Sequence, residues 1–417
     1  MEPIIPPLKF TSHHNLVERL VLATIIGRPI RIKEIRTSSP TNPGVKPHEV
    51  AFIRLLSNIT NAEKIILNET GTELYYKPGM IVGSATKAGA QGTDSSASTK
   101  LVKPESFMNN EYDRGLSYFL IPLCMLAPFA KTELDILFSG PGVITSSTPT
   151  GDMSVDSVRT AILPLYEKLG FGNAAKGVEL RILKRSNPGP NGKGGGGEVL
   201  LSFKNQTHPQ KRLHLMNPGR IKSIRGVAYS VGVSGSNNAR MIETARGILN
   251  PLSPDTYIFS DVSSAPLIPA PTKNNPKAQK KVGLGFGLSL VAESSTGCLY
   301  SADVASPPAG GVPPEDIGKQ CAFQLLETIS KGGCIPPAAA TTFLIPMTMG
   351  PPDVGRLQFG RDVIADPNLI QLGRDVTTFG APGWGIRDAE NEDGDVIVTV
   401  VGSGIENIHK KKKGGAA

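Results

Sequence analysis

The 417 residues hold one tryptophan, four cysteines and six histidines, so few of the side chains that usually carry chemistry are present. Cys124, Cys298, Cys321 and Cys334 lie far apart and form no CxxC pair, which argues against a zinc site. Each sits in apolar or helical sequence and reads as a free thiol of a reducing compartment. No histidine lies between Leu215 and Ile408, so that stretch offers no imidazole for nucleophilic work. No apolar run is long enough to cross a bilayer. The most apolar segment, residues 116–130, is too short and is broken by Pro122 and Pro128, so it reads as a buried helix. Residues 1–7 lack the basic-then-apolar pattern of a signal peptide. The expectation is a soluble intracellular protein with no membrane partner.

Glycine (46) and proline (35) are both plentiful, and 39% hydrophobic content argues for a folded body with long loops. The length admits one to three domains. The formal charge is +8, which favours anionic partners, nucleic acid first; a soluble enzyme with a basic surface is the plainer alternative.

Helix and strand signals alternate. Phe52, Leu55, Leu56 and Ile59 give a helical stripe. Residues 64–69 and 72–77 read as a hairpin turning at Thr70-Gly71. Leu134, Ile136 and Phe138 alternate as a strand, residues 152–169 read as a helix, and strands at 181–184 and 199–203 flank a glycine loop. A helix over 314–331 starts after Pro313, with Glu315 and Asp316 in its first turn, and stops at Gly332-Gly333. The pattern predicts an α+β fold of repeated units, each burying helices against a sheet. Residues 83–99, 187–197, 263–281, 388–395 and 409–417 have little to bury and are expected to be mobile. Residues 220–261 read strand, helix, strand between Pro- and Gly-rich linkers. The expected division is a body over 8–218, a small inserted α/β domain with its linker over 219–281, the rest of the body over 282–408, and a basic tail over 409–417.

Individual motifs have competing readings. Gly194-Gly195-Gly196-Gly197 could cradle a phosphate, but Glu198-Val199 leads into a strand rather than the Lys-Ser/Thr and helix of a P-loop, so a flexible hairpin tip is expected. Arg36 and Lys46 flank a proline-glycine turn and are either anion contacts or solvated charge. His48-Glu49 is a poor acid–base pair, because adjacent helical residues point apart. Glu293, Asp303 and Glu315 would need to cluster to hold a catalytic metal, and a place near the helix dipole explains Glu315 more simply. Trp384 either stacks on a partner or packs on the body. Lys410, Lys411, Lys412 and Lys413 form a run suited to nuclear import or loose partner contact, or a solvated end; Lys277, Lys280 and Lys281 read the same way.

Several short elements occur in order. They are Ile35-Arg36 with Asn42-Pro43-Gly44-Val45, Gly177-Val178-Glu179-Leu180, Gly194 to Val199, Gly311-Val312-Pro313-Pro314-Glu315, and Gly332-Gly333-Cys334 before Leu344-Ile345-Pro346-Met347. Together they resemble RNA 3′-terminal phosphate cyclases. Residues 57–76, 224–230 and 285–293 are similar to the nucleolar, catalytically degenerate branch of that family. The resemblance implies a cyclase-like fold of repeated helix-pair and four-stranded-sheet units with a small inserted domain. It places Ala338 where the family carries its nucleophilic histidine, and the glycine-rich start with Glu, Gln and Arg is here Ser12 to Val17. Alanine cannot attack a nucleotide phosphorus. The resemblance thus implies a scaffold without catalytic residues, cofactor or metal, in the nucleolus. It would support early pre-rRNA cleavages in the small-subunit processome, with a GTPase and pre-rRNA as partners. An endoribonuclease acting on pre-rRNA is the alternative; an active cyclase is the third reading. Arg36, Lys46 and His48 are then the candidate RNA or anion contacts.

Overall fold

The computed structural model describes residues 6–81, 114–131, 134–169, 178–189, 194–203, 213–270, 275, 277–390 and 394–404. The stretch at 83–99 and the tail with Lys410 to Lys413 lie outside the described residues.

A strand, a helix and a second parallel strand open the chain: β1 (Leu8–Thr11), α1 (Leu16–Ile26) and β2 (Ile30–Lys33). Gly27 ends α1 at φ 71°, a left-handed turn that glycine adopts without strain. Then come α2 (Pro47–Thr60), β3 (Lys64–Leu67) and β4 (Leu74–Lys77). The fixed φ of Pro47 suits the first helical position, and Glu49 accepts from the Lys46 N–H at 2.6 Å. The expected hairpin forms, with sheet order β1-β2-β4-β3.

The second unit repeats this plan. It has α3 (Ser117–Leu126) and β5 (Leu134–Ser139), then α4 (Val155–Ser157), a π turn at Val158–Ile162 and α5 (Leu163–Lys168). The strands β6 (Val178–Lys184) and β7 (Glu198–Phe203) complete it in the order β5-β7-β6. Its described strands match the last three of the first unit.

β8 (His214–Leu215) begins the third unit, but its parallel partner comes much later in the chain. Between them lies another sheet: β9 (Ile221–Val231), α6 (Ser236–Leu249), β10 (Thr256–Ser263), the ribbon β11 (Leu267–Pro269) and β12 (Gln279–Lys281), β13 (Gly285–Ser294), β14 (Leu299–Ala305) and α7 (Pro314–Ser330). The third unit resumes with α8 (Ala340–Met349), β15 (Val354–Phe359), α9 (Arg361–Ile364), α10 (Pro367–Thr378), β16 (Gly385–Asp388) and β17 (Val396–Val401). Its order, β8-β15-β17-β16, is that of the first unit. α1, α3, α8 and α10 pack together. α3 and α8 bury nearly every side chain, as helices apolar all round must. Phe119-Leu120-Ile121-Pro122 in α3 recurs as Phe343-Leu344-Ile345-Pro346 in α8, an internal repeat at equivalent positions.

Three expectations are corrected. The boundary after residue 281 falls inside the inserted sheet. β13 pairs with β9 from Gly285 to Ser294, β14 pairs with β13, and α7 packs on both, so the unit continues through α7. Gly194 to Gly197 is neither a phosphate cradle nor a mobile tip. The N–H groups of Gly195, Gly196 and Gly197 donate to the carbonyls of Asn187, Gly140 and Val143. A Cβ on Gly194 would lie 1.9 Å from the Gly189 nitrogen, so glycine is required there by close backbone approach. The stretches at 263–281 and 388–395 are also partly ordered: β11 pairs with β12, and Asp395 is buried, accepting from Gly333 N and Gln358 Nε2.

Candidate functional site

A cleft of about 400 Å³ lies where the first unit meets the loops of the second and the start of α8. His13, Arg36, Lys46, His48, Arg114 and Ala338 line it. The fold thus gathers all three candidate contacts beside Ala338, from positions far apart in sequence. Four of the five non-glycine residues with positive φ among those described, Ser12, Asn15, Glu34 and Arg36, lie in the loops around it. Such strained backbone persists only where the surrounding structure over-determines it.

The charges in the cleft are mostly matched. Arg36 makes a two-pronged contact with Glu49, at 2.6 and 2.8 Å, and donates to the Gly44 carbonyl at 3.0 Å. Arg114 donates to Asp152 at 2.7 Å and lies over the Tyr118 ring. Lys46 has no ion pair among the described residues, which leaves its ammonium available to an anion. His48 meets Tyr118 edge-on, with ring centroids 5.1 Å apart. Burial, then the charge of Arg114, pulls its pKa from near 6.5 down to about 4. Burial, then Arg36, lowers His13 as well. Both imidazoles are therefore neutral at pH 7. Nothing in the residue pattern assigned His13 a role; it enters the site because the fold brings it into the cleft that Ala338 also lines.

The His48 shift predicts a pH effect on stability. Between pH 6.5 and about 4 the unfolded chain binds a proton here that the folded protein refuses. Stability should therefore fall as pH drops through that window, and His48→Gln should flatten the fall. Urea midpoints at both ends of the window, for wild type and variant, measure it; equal slopes in the two proteins would refute the shift.

A second cleft, of about 700 Å³, shares Gly151, Asp152, Met153 and Ala338 with the first. Asp303 lines it, accepts from Ser154 N and from the hydroxyls of Ser154 and Ser157, and is raised by burial. Glu315 pairs instead with Arg240, at 2.5 and 2.7 Å. Asp303 and Glu315 are thus engaged separately, Glu293 is exposed, and no group of three or more His, Cys, Asp or Glu side chains suited to a metal occurs among the described residues. Trp384 packs over Gly373 and donates from Nε1 to Thr348 Oγ1 at 3.0 Å, so it belongs to the body. All four cysteines are free and buried. No described helix is long and apolar enough to cross a membrane.

Comparison with known proteins agrees with this architecture. Residues 216–330 match the family model described as RNA 3′-terminal phosphate cyclase (RTC), insert domain. That span begins just after β8 and ends with α7, as the strand pairing requires. The RNA 3′-terminal phosphate cyclase-like protein of Homo sapiens is 37% identical over 418 residues, covering 97% of this chain and 98% of that protein. The rRNA processing protein RCL1 of Saccharomyces cerevisiae is 35% identical over 409 residues, covering 96% and 97%. The rRNA processing protein rcl1 of Schizosaccharomyces pombe is 34% identical over 406 residues, covering 97% and 98%. Three units of one topology, the third split by an insert of the matching kind, and similarity along nearly the whole length lead to one conclusion: the chain belongs to the family of RNA 3′-terminal phosphate cyclase-like proteins.

Proposed function

We propose that this protein is an rRNA-processing factor of the nucleolus. In this reading it acts in the small-subunit processome as a non-catalytic cyclase-like scaffold, holding pre-rRNA and a GTPase partner during early cleavages toward 18S rRNA. The observation that carries the proposal is Ala338, a methyl group at the meeting point of the two clefts where the family resemblance expects an imidazole. The names of the two yeast relatives support the RNA-processing role. Incubation with ATP labelled at the α-phosphate should leave no acid-labile adenylate on the protein; a stable label would overturn the reading.

Lys46 is the cleft cation best placed to meet RNA phosphate. Arg36 and His48 shape the site, one through Glu49 and the other as a neutral ring. Lys46→Ala should weaken binding of short single-stranded pre-rRNA uniformly across sequences and reduce the salt slope of log K by about 1. An unchanged slope would remove Lys46 from the RNA contact. The GTPase would dock a segment on the body, and failure of the purified GTPase to be retained by this protein would defeat that part. The four-lysine tail is proposed as an import or partner element, tested by nuclear accumulation of a chain lacking it.

A second reading, endoribonuclease action on pre-rRNA, draws on the two neutral imidazoles beside Lys46, since a neutral ring can accept a proton from a 2′-hydroxyl. Single-turnover cleavage by the purified protein, abolished by His48→Gln, would establish it over the scaffold reading. Absence of cleavage would dismiss it.

A further inference from the structure

A cleft of about 810 Å³, larger than either of the two that meet at Ala338, lies between the second unit and the inserted sheet. Its walls are two sheet edges. Among the described residues β6 pairs only with β7, and β10 only with β9. Each edge therefore carries backbone groups with no strand beside them. The register of β6 shifts between Ile182 and Lys184, and this bulge turns Leu183 out of the ladder, where it is 52% exposed. Across the cleft Phe259 is 55% exposed, and Tyr257 meets it edge-on at 4.6 Å between ring centroids. Ile258 between them is buried, so strand alternation puts both rings on the opposite face of the sheet. The Ser263 hydroxyl oxygen, also in the lining, is buried with no hydrogen-bond partner among the described residues.

The charges identify the occupant. Each lining cation already has a carboxylate: Arg185 with Asp156 and Asp261, Arg159 with Asp156, Lys184 with Glu198. A nucleic-acid strand would bring a phosphate with every nucleotide to a wall with no spare cation and with the half-exposed Asp261 facing it. An apolar polypeptide matches such a neutral wall, and the open edges supply its backbone partners. At one end Lys281 stands opposite Leu267 in the ribbon, with Lys280 beside it, and neither has an ion pair among the described residues. We propose that this cleft binds an extended segment of a partner protein, apolar at alternate residues and acidic at the end near Lys281, added as a strand along β10. Exposed edges with pockets for alternate side chains recognise peptides in this way. The proposal is independent of what the Ala338 cleft does.

A random peptide library displayed on phage and panned on the full chain tests it, with Phe259→Glu for counter-selection. The retained peptides should alternate apolar residues, carry an acidic end and bind Phe259→Glu about tenfold or more weakly. Lys281→Glu should weaken the acidic peptides in particular. Both Phe259 and Leu183 are more than half exposed, so thermal melting should be unchanged; should Phe259→Glu melt early, Leu183→Glu on the opposite wall gives the same readout. The proposal is overturned if no peptide is enriched over the variant. It is equally overturned if random-sequence RNA, rather than peptide, is retained in a Phe259-dependent way, or if the chain self-associates through Phe259 and excludes peptides.

Discussion

Replacing Asp375 by alanine is expected to lower the unfolding free energy by about 3–5 kcal/mol. Asp375 on α10 receives Arg19 Nε at 2.7 Å and Nη2 at 3.0 Å, and Gln371 Nε2 at 2.9 Å. The two side chains are 1% and 2% exposed, so water cannot replace the lost partner. Arg19 also donates to the carbonyls of Thr11 and Ser12 and lies over the Phe10 ring. One ion pair thus ties the first unit, including the loop that carries His13, to the third. Removing the carboxylate leaves a buried guanidinium half satisfied, which costs far more than the intact pair contributes. The double replacement Arg19→Met, Asp375→Leu should be less destabilised than Asp375→Ala alone, since it removes both charges. Urea unfolding of the three proteins decides the matter. A loss below about 1 kcal/mol for Asp375→Ala would mean that the site is wet and behaves as a surface pair.

The second large effect is expected at Gly333, where alanine should cost on the order of 3 kcal/mol, from left-handed backbone and steric overlap together. Its φ is 69°, and a Cβ would lie 2.4 Å from Gly360 N and 2.5 Å from Phe359 C. Those atoms are backbone and cannot rotate away. Gly333 bridges to Phe359, its N–H donates to the buried Asp395, and its carbonyl receives Tyr300 Oη at 2.7 Å. The overlap therefore strains the place where the inserted unit returns the chain to the third unit, just before Ala338. The denaturant midpoint should fall, and limited proteolysis should cut more readily between α7 and α8. A variant as stable and as protected as wild type would show that the junction relaxes freely.

Much of the fold was legible because it is local. The stripe of Phe52, Leu55, Leu56 and Ile59 lies within α2, and the Pro- and Gly-marked ends of α7 fall where expected. Gly194 to Gly197 misled because glycine marks both a flexible tip and a tight approach, and only the neighbouring backbone separates the two. The extent of the insert was hidden for a similar reason. The linker at 263–281 looks like a boundary, yet β13 beyond it completes the sheet that β9 began. The Phe-Leu-Ile-Pro repeat of α3 and α8 was the available signal for the unit plan, and four identical residues among so many apolar ones are easily passed over.

For the site, the residues alone determined that no imidazole lies at position 338 and that Arg36 and Lys46 flank one turn, with His48 just beyond it. Tertiary structure decided what those side chains do: Arg36 is held by Glu49, Lys46 has no ion pair among the described residues, His48 is driven neutral, and His13 arrives from another loop. The division has a physical cause. Backbone preference and apolar spacing act over a few residues and are written along the chain. Charge pairing, desolvation and the exposure of a sheet edge depend on which distant segments meet, and those meetings exist only once the core has formed.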